Sequence, residues 1–513
     1  MSFTLNQVYG AILTPSTTIS GSVITIVDAT TSSFTRDQSF VYILTAQYFK
    51  APPSTLTTGA LTFSVLRNGY PLMTGSTTLT ATAGALTASA STAVSTVWQN
   101  TSYIFTITTS NPLSSSGMIR VVLPSQVTLS TSSTSCASLS GTGTATQPVC
   151  SFSSSNTILL NSINSSSSTI AAQTLTLTIN GLTNPGEASA SGSFSISTYY
   201  SNALAGMTDS GSAAGITATV GTIDVATVSI TPSSYVVYQT GVTYTFAFNT
   251  TYPIPIGGLI SVTVPTDIGL NTANLATYSK YSLNGGTFVS IPATFATSSS
   301  YQLNFTNIAA TSAIPAGSRI SLQLAGICTN PSSTRIVSPF GITTRSSTAP
   351  IETVSGMSLQ MTAPADFYIV DVARSSQQNS ALTSYTFTLK QQAALIAGSL
   401  LLIDFPSDIA MTVGSTCTNL AGTAVTCSQT SYQGLVVTLE AVGAGVQFGV
   451  VVSQVRNPPS YRPSTVNFVF ATKTADQLSS YAYRTIVNSL TNSVPSAFTL
   501  VSYSFSPAAY DNA

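Results

Sequence analysis

The sequence predicts an all-β protein built as a tandem array of immunoglobulin-like β-sandwich domains. Three observations predict it. Short runs rich in Val, Ile, Thr, Tyr and Phe alternate apolar with polar residues, the period of a half-buried strand. Gly and Pro punctuate these runs, and almost no segment has a helical period with caps. Tyr-x-Phe recurs at a fixed step: Tyr103-Ile104-Phe105, Tyr244-Thr245-Phe246 and Tyr385-Thr386-Phe387 stand 141 residues apart. A long fixed period marks one structural unit copied in tandem.

Each unit opens with an alternating strand around Tyr-x-Phe, at 102–109, 243–250 and 384–390. A turn follows, then a strand ending in proline: GMIRVVLP at 117–124, GLISVTVP at 258–265 and SLLLIDFP at 399–406. Pro124, Pro265 and Pro406 keep the step of 141. Proline has no N–H for the ladder, so it ends the strand. The second half of each unit closes with a strand and Asn-Pro, at Pro185, Pro331 and Pro458, before a further strand: GSFSIST, SPFGITT and VNFVFAT. An X-Pro step holds the preceding residue extended and favours a turn or crossover. The Asn-Pro steps are 146 and 127, so loops vary while strands keep their order. A unit of 141 residues exceeds the ~100 of a seven-strand sandwich, which implies a larger sandwich with long loops or two small lobes.

This register divides the chain. Residues 1–90 read as the second half of a unit, with strands in GSVITIVDA and SFVYILTAQ and with Lys50-Ala51-Pro52 standing where Asn-Pro stands elsewhere. Residues 91–222, 223–362 and 363–486 read as three β-sandwich repeats. Residues 487–513 read as a C-terminal strand or tail that could be donated to another subunit. Tyr503-Ser504-Phe505 breaks the step, and the tail matches TVSITPSSY at 227–235 better, pairing Pro507 with Pro232. The strongest candidate for a membrane span, 435–455, carries Glu440 and Gln447 and is rich in Val and Gly, so it reads as two strands. The N-terminus has no basic leader pattern.

Composition narrows the function. Charged residues are 5% of the chain, net charge is zero, and Ser and Thr supply the polarity. No basic stripe neutralises phosphate, which argues against nucleic acid as a partner. Weak net repulsion leaves self-association unopposed. There is no His, which removes Ser-His-Asp and Cys-His catalysis and His-containing metal sites. No Gly-rich loop leads from a strand into a helix to cradle a nucleotide phosphate. Asp404 and Asp408 flank Pro406 and are conceivable as a glycosidase pair. Only Asp267 is kept in the second unit and neither in the first, so a strand-end turn explains them better. Asp366 and Asp371 are candidate calcium ligands at a domain junction, without a dense acidic run to support them. No catalytic residue, metal site or cofactor is expected.

Five cysteines remain. Cys136 and Cys150 are 14 apart, Cys417 and Cys427 are 10 apart, and both pairs lie in Ser/Thr/Gly loops nearly two periods apart. They read as loop-closing disulfides formed in an oxidising compartment, against the alternative of four inert thiols. Cys328 is left over, as a buried small hydrophobe or an intermolecular bridge. Four sequons, at Asn100, Asn164, Asn249 and Asn304, are candidate glycan sites, with Asn100 and Asn249 beside the repeating strand. Trp98 and Tyr238 precede their Tyr-x-Phe strands, placed either to stack on a sugar or to pack within or between domains.

Tyr-x-Phe, a Gly-led strand ending in Pro, a Cys pair and an Asn330-Pro331-Ser332 type step before a Phe-containing strand together resemble the tandem β-repeats of large secreted or cell-surface proteins of ciliated protozoa. The middle unit departs from that pattern by lacking the Cys pair, with Thr277 near the first expected position. The resemblance implies a structural or surface-coating protein. With the composition, it leads to a non-enzymatic subunit of an extracellular filament or cell-surface coat whose partners are further copies of itself and covalent glycans. A cell-surface adhesin or stalk with glycan- or protein-binding loops is the alternative.

Overall fold

The computed structural model describes residues 3–7, 16–20, 22–27, 42–46, 50–67, 69–129, 134–165, 169–297, 301–459 and 467–486. The tail 487–513, with Tyr503-Ser504-Phe505, lies outside them. Among the described residues the fold is all-β: 40 strands stand beside one four-residue α-helix, Leu275–Tyr278, and two short 3-10 turns. The chain forms two compact units, Met1–Pro185 with Ser189–Ala218, and Gly186–Ala188 with Thr219–Ala513. The first contains one β-sandwich core and the second contains two.

The three sandwiches share one plan. The Tyr-x-Phe strands are Asn100–Thr108, Val242–Asn249 and Leu382–Gln391. Each pairs antiparallel with the strand that precedes Asn-Pro: Thr174–Thr183, Arg319–Thr329 and Gln447–Arg456. In the opposite sheet the strands that run into Pro124, Pro265 and Pro406, namely the Gly-led Met118–Val122 and Leu259–Val264 and the Ser-led Leu400–Asp404, are central. Each lies antiparallel between an earlier hairpin strand and the strand that follows Asn-Pro. Residues 435–455 contribute two strands, Gly434–Thr438 and Gln447–Arg456, rather than a helical span. No helix among the described residues is long and apolar enough to cross a membrane.

Alternation sets the core. Along Leu382–Gln391 every second side chain is buried, as the strand period requires. The Phe of each Tyr-x-Phe crosses to the Phe of the strand after Asn-Pro: Phe105 to Phe194 at 5.2 Å between ring centroids, Phe246 to Phe340 at 6.1 Å and Phe387 to Phe468 at 5.8 Å. All six rings are fully buried. Each contributes about 1.5–3 kcal/mol by leaving water, so the two motifs are linked through the core of each sandwich.

The lead-in to each sandwich is parallel. Gly84–Ala85 pairs with Asp209 and Ser210, Gly221–Thr222 with Glu352 and Thr353, and Ala365 bridges Ala482. A Cβ on Gly84 would meet Asn111 and Asp209 at 2.3 Å, which accounts for the glycine.

Among the described residues before 84 the strands pair as three two-stranded pieces: Phe3–Gln7 with Tyr42–Ala46, Ser16–Ser20 with Val23–Val27, and Leu61–Arg67 with Tyr70–Thr77.

Candidate functional site

The feature common to all three sandwiches is a buried clamp made from both sequence motifs. The Tyr103 phenol donates to Asn184 Oδ1 at 2.8 Å, Tyr244 to Asn330 at 2.7 Å and Tyr385 to Asn457 at 2.8 Å. The amide nitrogen of each Asn donates to two carbonyls of the loop before the Tyr strand. For Asn184 these are Val94 and Thr96, for Asn330 Ser234 and Val236, and for Asn457 Ser376 and Gln378, all between 2.7 and 2.9 Å. The same loop is held twice more by backbone. The N–H groups of Trp98, Tyr238 and Ser380 donate to the carbonyls of Pro185, Pro331 and Pro458. Those of Asn184, Asn330 and Asn457 donate to Gln99, Gln239 and Ala381.

Local sequence explains the geometry. A β-bulge interrupts each strand before Asn-Pro. Gly181, Gly326 and Gln454 stand there at φ of 78°, 69° and 55°, and a bulge re-aims the chain beyond it. Trp98, Tyr238 and Ser380 turn the facing loop at φ of 56°, 58° and 56°. Both side chains of each clamp are essentially inaccessible to water, and every donor of the Asn amide is used. Burial pushes all three phenols up, Tyr385 to about 12 even with Arg374 drawing it partly back. The clamp therefore stays neutral and protonated, and it fixes shape rather than moving protons.

A second recurring bond, a joint, is counted from Pro52, Pro185 and Pro331, the last two of which end a clamp. The residue three places beyond each donates its N–H to the carbonyl of the first residue of a final strand. Thr55 donates to Met207 at 2.9 Å within the first unit. Ala188 donates to Pro350 at 2.8 Å and Thr334 to Ser480 at 2.8 Å within the second. Thr334 Oγ1 also accepts from Ser480 N at 2.7 Å, and Tyr238 packs against the third core. Tyr238 is thus a packing residue between the second and third sandwiches.

Both cysteine pairs are disulfide-bonded, with Cα–Cα distances of 5.7 Å and 6.1 Å. Each ties one sheet of its sandwich to the other. Cys136 and Cys417 lie beside the residues opposite the clamp tyrosines, Ile179 and Val452. Cys150 and Cys427 lie beside Leu160 and Val437, which oppose Ile119 and Leu401. In the middle sandwich the corresponding residues are Ser279, beside Leu324, and Ala293, beside Phe305. Thr277 is therefore not the counterpart. The short helical insertion at 272–278 displaces the count by two residues. Cys328 is free and buried, and burial pushes its thiol up to about 12. It lies beside Leu270, in the place that Leu182 and Val455 fill beside Leu129 and Met411.

A second buried polar node was missed by sequence reasoning. Asp209 is fully buried, and its carboxylate accepts from Asn111 N at 3.1 Å and Asn111 Nδ2 at 2.7 Å. Glu352 takes the corresponding place and accepts from Thr251 N at 2.8 Å and Thr344 Oγ1 at 3.4 Å. Burial raises the Glu352 pKa, and these hydrogen bonds offset part of the rise. In the third sandwich Ala482 stands there instead, and Gln391 accepts from Thr472 Oγ1 at 2.6 Å. The sequence signal was a lone acid on a final strand of a chain almost without charge.

The remaining candidates are dispersed. Asp404 is exposed at its strand end and Asp408 is half-buried beyond Pro406. Asp366 pairs with Arg484 at 3.7 Å and accepts from Phe367 N, while Asp371 is exposed on Phe367–Arg374. Among the described residues no three His, Cys, Asp or Glu converge as metal ligands. A shallow cleft lined by Val225, Val228, Ile230, Met357 and Ser358 has no titratable side chain. Of the sequons, Asn100 is exposed. Asn164 Nδ2 donates to Ser114 O at 2.9 Å, Asn249 Oδ1 accepts from Arg319, and Asn304 Oδ1 accepts from Ser261 at 2.6 Å.

No family model and no curated protein matches the chain. Among solved structures it is similar to a Corynebacterium diphtheriae protein described as membrane anchored, at 9% identity and TM-score 0.19, over 82% of this chain and 92% of that one. It is similar to the C-terminal domain of the Streptococcus agalactiae AgI/II polypeptide BspA, at 9% identity and TM-score 0.19, over 52% and 95%. A structure of manganese lipoxygenase of Gaeumannomyces graminis with part of a zonadhesin of Komagataella pastoris matches at 10% identity and TM-score 0.17, over 53% and 93%. These likenesses carry no weight in the functional reading.

Proposed function

We propose that this chain is a non-enzymatic structural subunit of an extracellular filament or cell-surface coat, assembled head-to-tail from its β-sandwich repeats. The observation that carries this is the joint: one backbone hydrogen bond, at one offset from the motif proline, recurs at Thr55, Ala188 and Thr334. A contact that repeats with the unit suits propagation along an axis. Two inter-sheet disulfides support an oxidising, extracellular setting. The scarcity of charge leaves sheet edges without a common guard against edge-to-edge pairing. The resemblance to surface repeats of ciliated protozoa points the same way, and exposed Asn100 is the sequon best placed to carry a glycan.

Sedimentation velocity and negative-stain imaging of the purified full chain test the proposal. Concentration-dependent polymers with an axial repeat are expected. A chain that stays monomeric at every concentration refutes assembly, and saturable glycan binding without polymer would instead mark an adhesin.

A further inference from the structure

Each sandwich is entered by a short segment that runs parallel to its final strand. Gly84–Ala85 lies beside Asp209 and Ser210, Gly221–Thr222 beside Glu352 and Thr353, and Ala365 beside Ala482. Backbone closes each pair. Leu86 N donates to Ser210 O and Ile223 N to Thr353 O, both at 3.1 Å, and Ala365 N donates to Tyr481 O at 3.0 Å. In the first two sandwiches the loop after the Tyr-x-Phe strand staples the pair from the side. The Ser110 hydroxyl donates to Ala85 O, while Asn111 donates to the buried Asp209 carboxylate. The Thr251 hydroxyl donates to Thr222 O at 3.0 Å, while its N–H donates to the buried Glu352 Oε2 at 2.8 Å. Glycine lets the entry segment lie against that loop, since a Cβ on Gly221 would meet the Tyr252 ring at 2.3 Å. The third sandwich has Ala482 in place of the acid. There the partly exposed Arg484 donates to Phe367 O at 2.6 Å and pairs with Asp366.

Strand direction gives this pair a mechanical meaning. The chain enters a sandwich at the N-terminal end of one member and leaves from the C-terminal side of the other. Tension along the chain therefore drags two parallel neighbours past each other and loads every bond between them at once. Antiparallel neighbours pulled from one end would part bond by bond. We propose that the first two sandwiches are tension-bearing modules whose stapled entry pair is the element that resists extension, and that the third sandwich yields first. Before the pair can slide, a fully buried carboxylate must lose its donors, and water is not at hand to replace them. Resistance to forced unfolding is set by the unfolding rate, so a bond that must break first counts most. The property belongs to a single chain and does not rest on assembly.

The full chain, held by tags at its two ends, is stretched at fixed force in a single-molecule instrument. Asp209→Ala and Glu352→Ala should each hasten one rupture, a different one in each variant, by about tenfold or more, the scale of leaving buried donors unpaired. Reducing the disulfides lengthens the extension released by the first and third sandwiches, which identifies the third. That rupture should come before the other two. Moving one handle from the C-terminus to Ser347→Cys, in the turn that starts the strand Pro350–Gln360, reverses the load on the second entry pair from sliding to peeling. The second rupture should then occur at a markedly lower force. Equal forces in the two pulling directions overturn the proposal even if Glu352→Ala fails to fold, and so does an unmoved second rupture in a folded Glu352→Ala. A third sandwich that outlasts the others overturns the ranking.

Discussion

Tyr244→Phe removes one hydroxyl from the middle clamp and nothing else. The ring is fully buried, so its packing is kept. The loss is the bond to Asn330 Oδ1 at 2.7 Å, which leaves that oxygen without its phenol donor in a dry site. Leaving a buried polar atom unsatisfied costs about 1–3 kcal/mol, more than the ~1 kcal/mol a hydrogen bond contributes on average. Asn330→Ala removes that bond together with those to Ser234 and Val236. It orphans a phenol and two carbonyls and should cost about 3–5 kcal/mol by the same count. Because several sandwiches share one chain, a single unfolding midpoint would mix their transitions. Hydrogen exchange along Val242–Asn249 instead reads local opening of this sandwich. Tyr244→Phe should speed exchange there by roughly ten- to a hundredfold, from about 1–3 kcal/mol at about 1.4 kcal/mol per tenfold, and Asn330→Ala should speed it further. Tyr235→Phe, at a partly exposed ring, should not. Unchanged exchange in Tyr244→Phe would refute the view that the clamp holds the sandwich closed.

Ser279→Cys combined with Ala293→Cys should form a third inter-sheet disulfide, since both stand in the registers of the native pairs. A loop of this length stabilises by about 3 kcal/mol in the chain-entropy model, and a mass loss of two hydrogens with raised thermal stability checks it. Glu352 gives an inverted pH dependence. Its folded pKa is raised, so its contribution is most favourable below the ordinary carboxylate value and is lost as pH rises through the raised value. Glu352→Gln should flatten that fall in a melting series run upward from the ordinary carboxylate value of about 4.3, and an identical slope in both proteins would count against it. Cys328 should resist thiol reagents in the folded chain, because burial keeps the thiol protonated and out of reach. Cys328→Val should change stability by less than about 1.5 kcal/mol, with rapid labelling of the native protein as the contrary result.

Strands were legible because their alternation and proline endings are local. The clamp was not. Tyr103, Tyr244 and Tyr385 keep a constant step, but their asparagines lie 81, 86 and 72 residues downstream. Unequal loops concealed that the two motifs are halves of one contact. The same effect moved the missing cysteine position from Ser279 to Thr277, because residues 272–278 form a turn and short helix peculiar to the middle sandwich. Asp209 and Glu352 carry no motif, and the donors that satisfy them, Asn111 and Thr251, lie about 100 residues earlier in the chain. The joint was invisible because its bonds are backbone to backbone and impose little on side-chain identity: Thr55, Ala188 and Thr334 serve alike.

We propose that this chain exists as part of an extended assembly built on its repeat. Electron micrographs of the native material test it most directly. Fibres or sheets with an axial period set by the β-sandwich repeat are predicted, and dispersed single particles would contradict it.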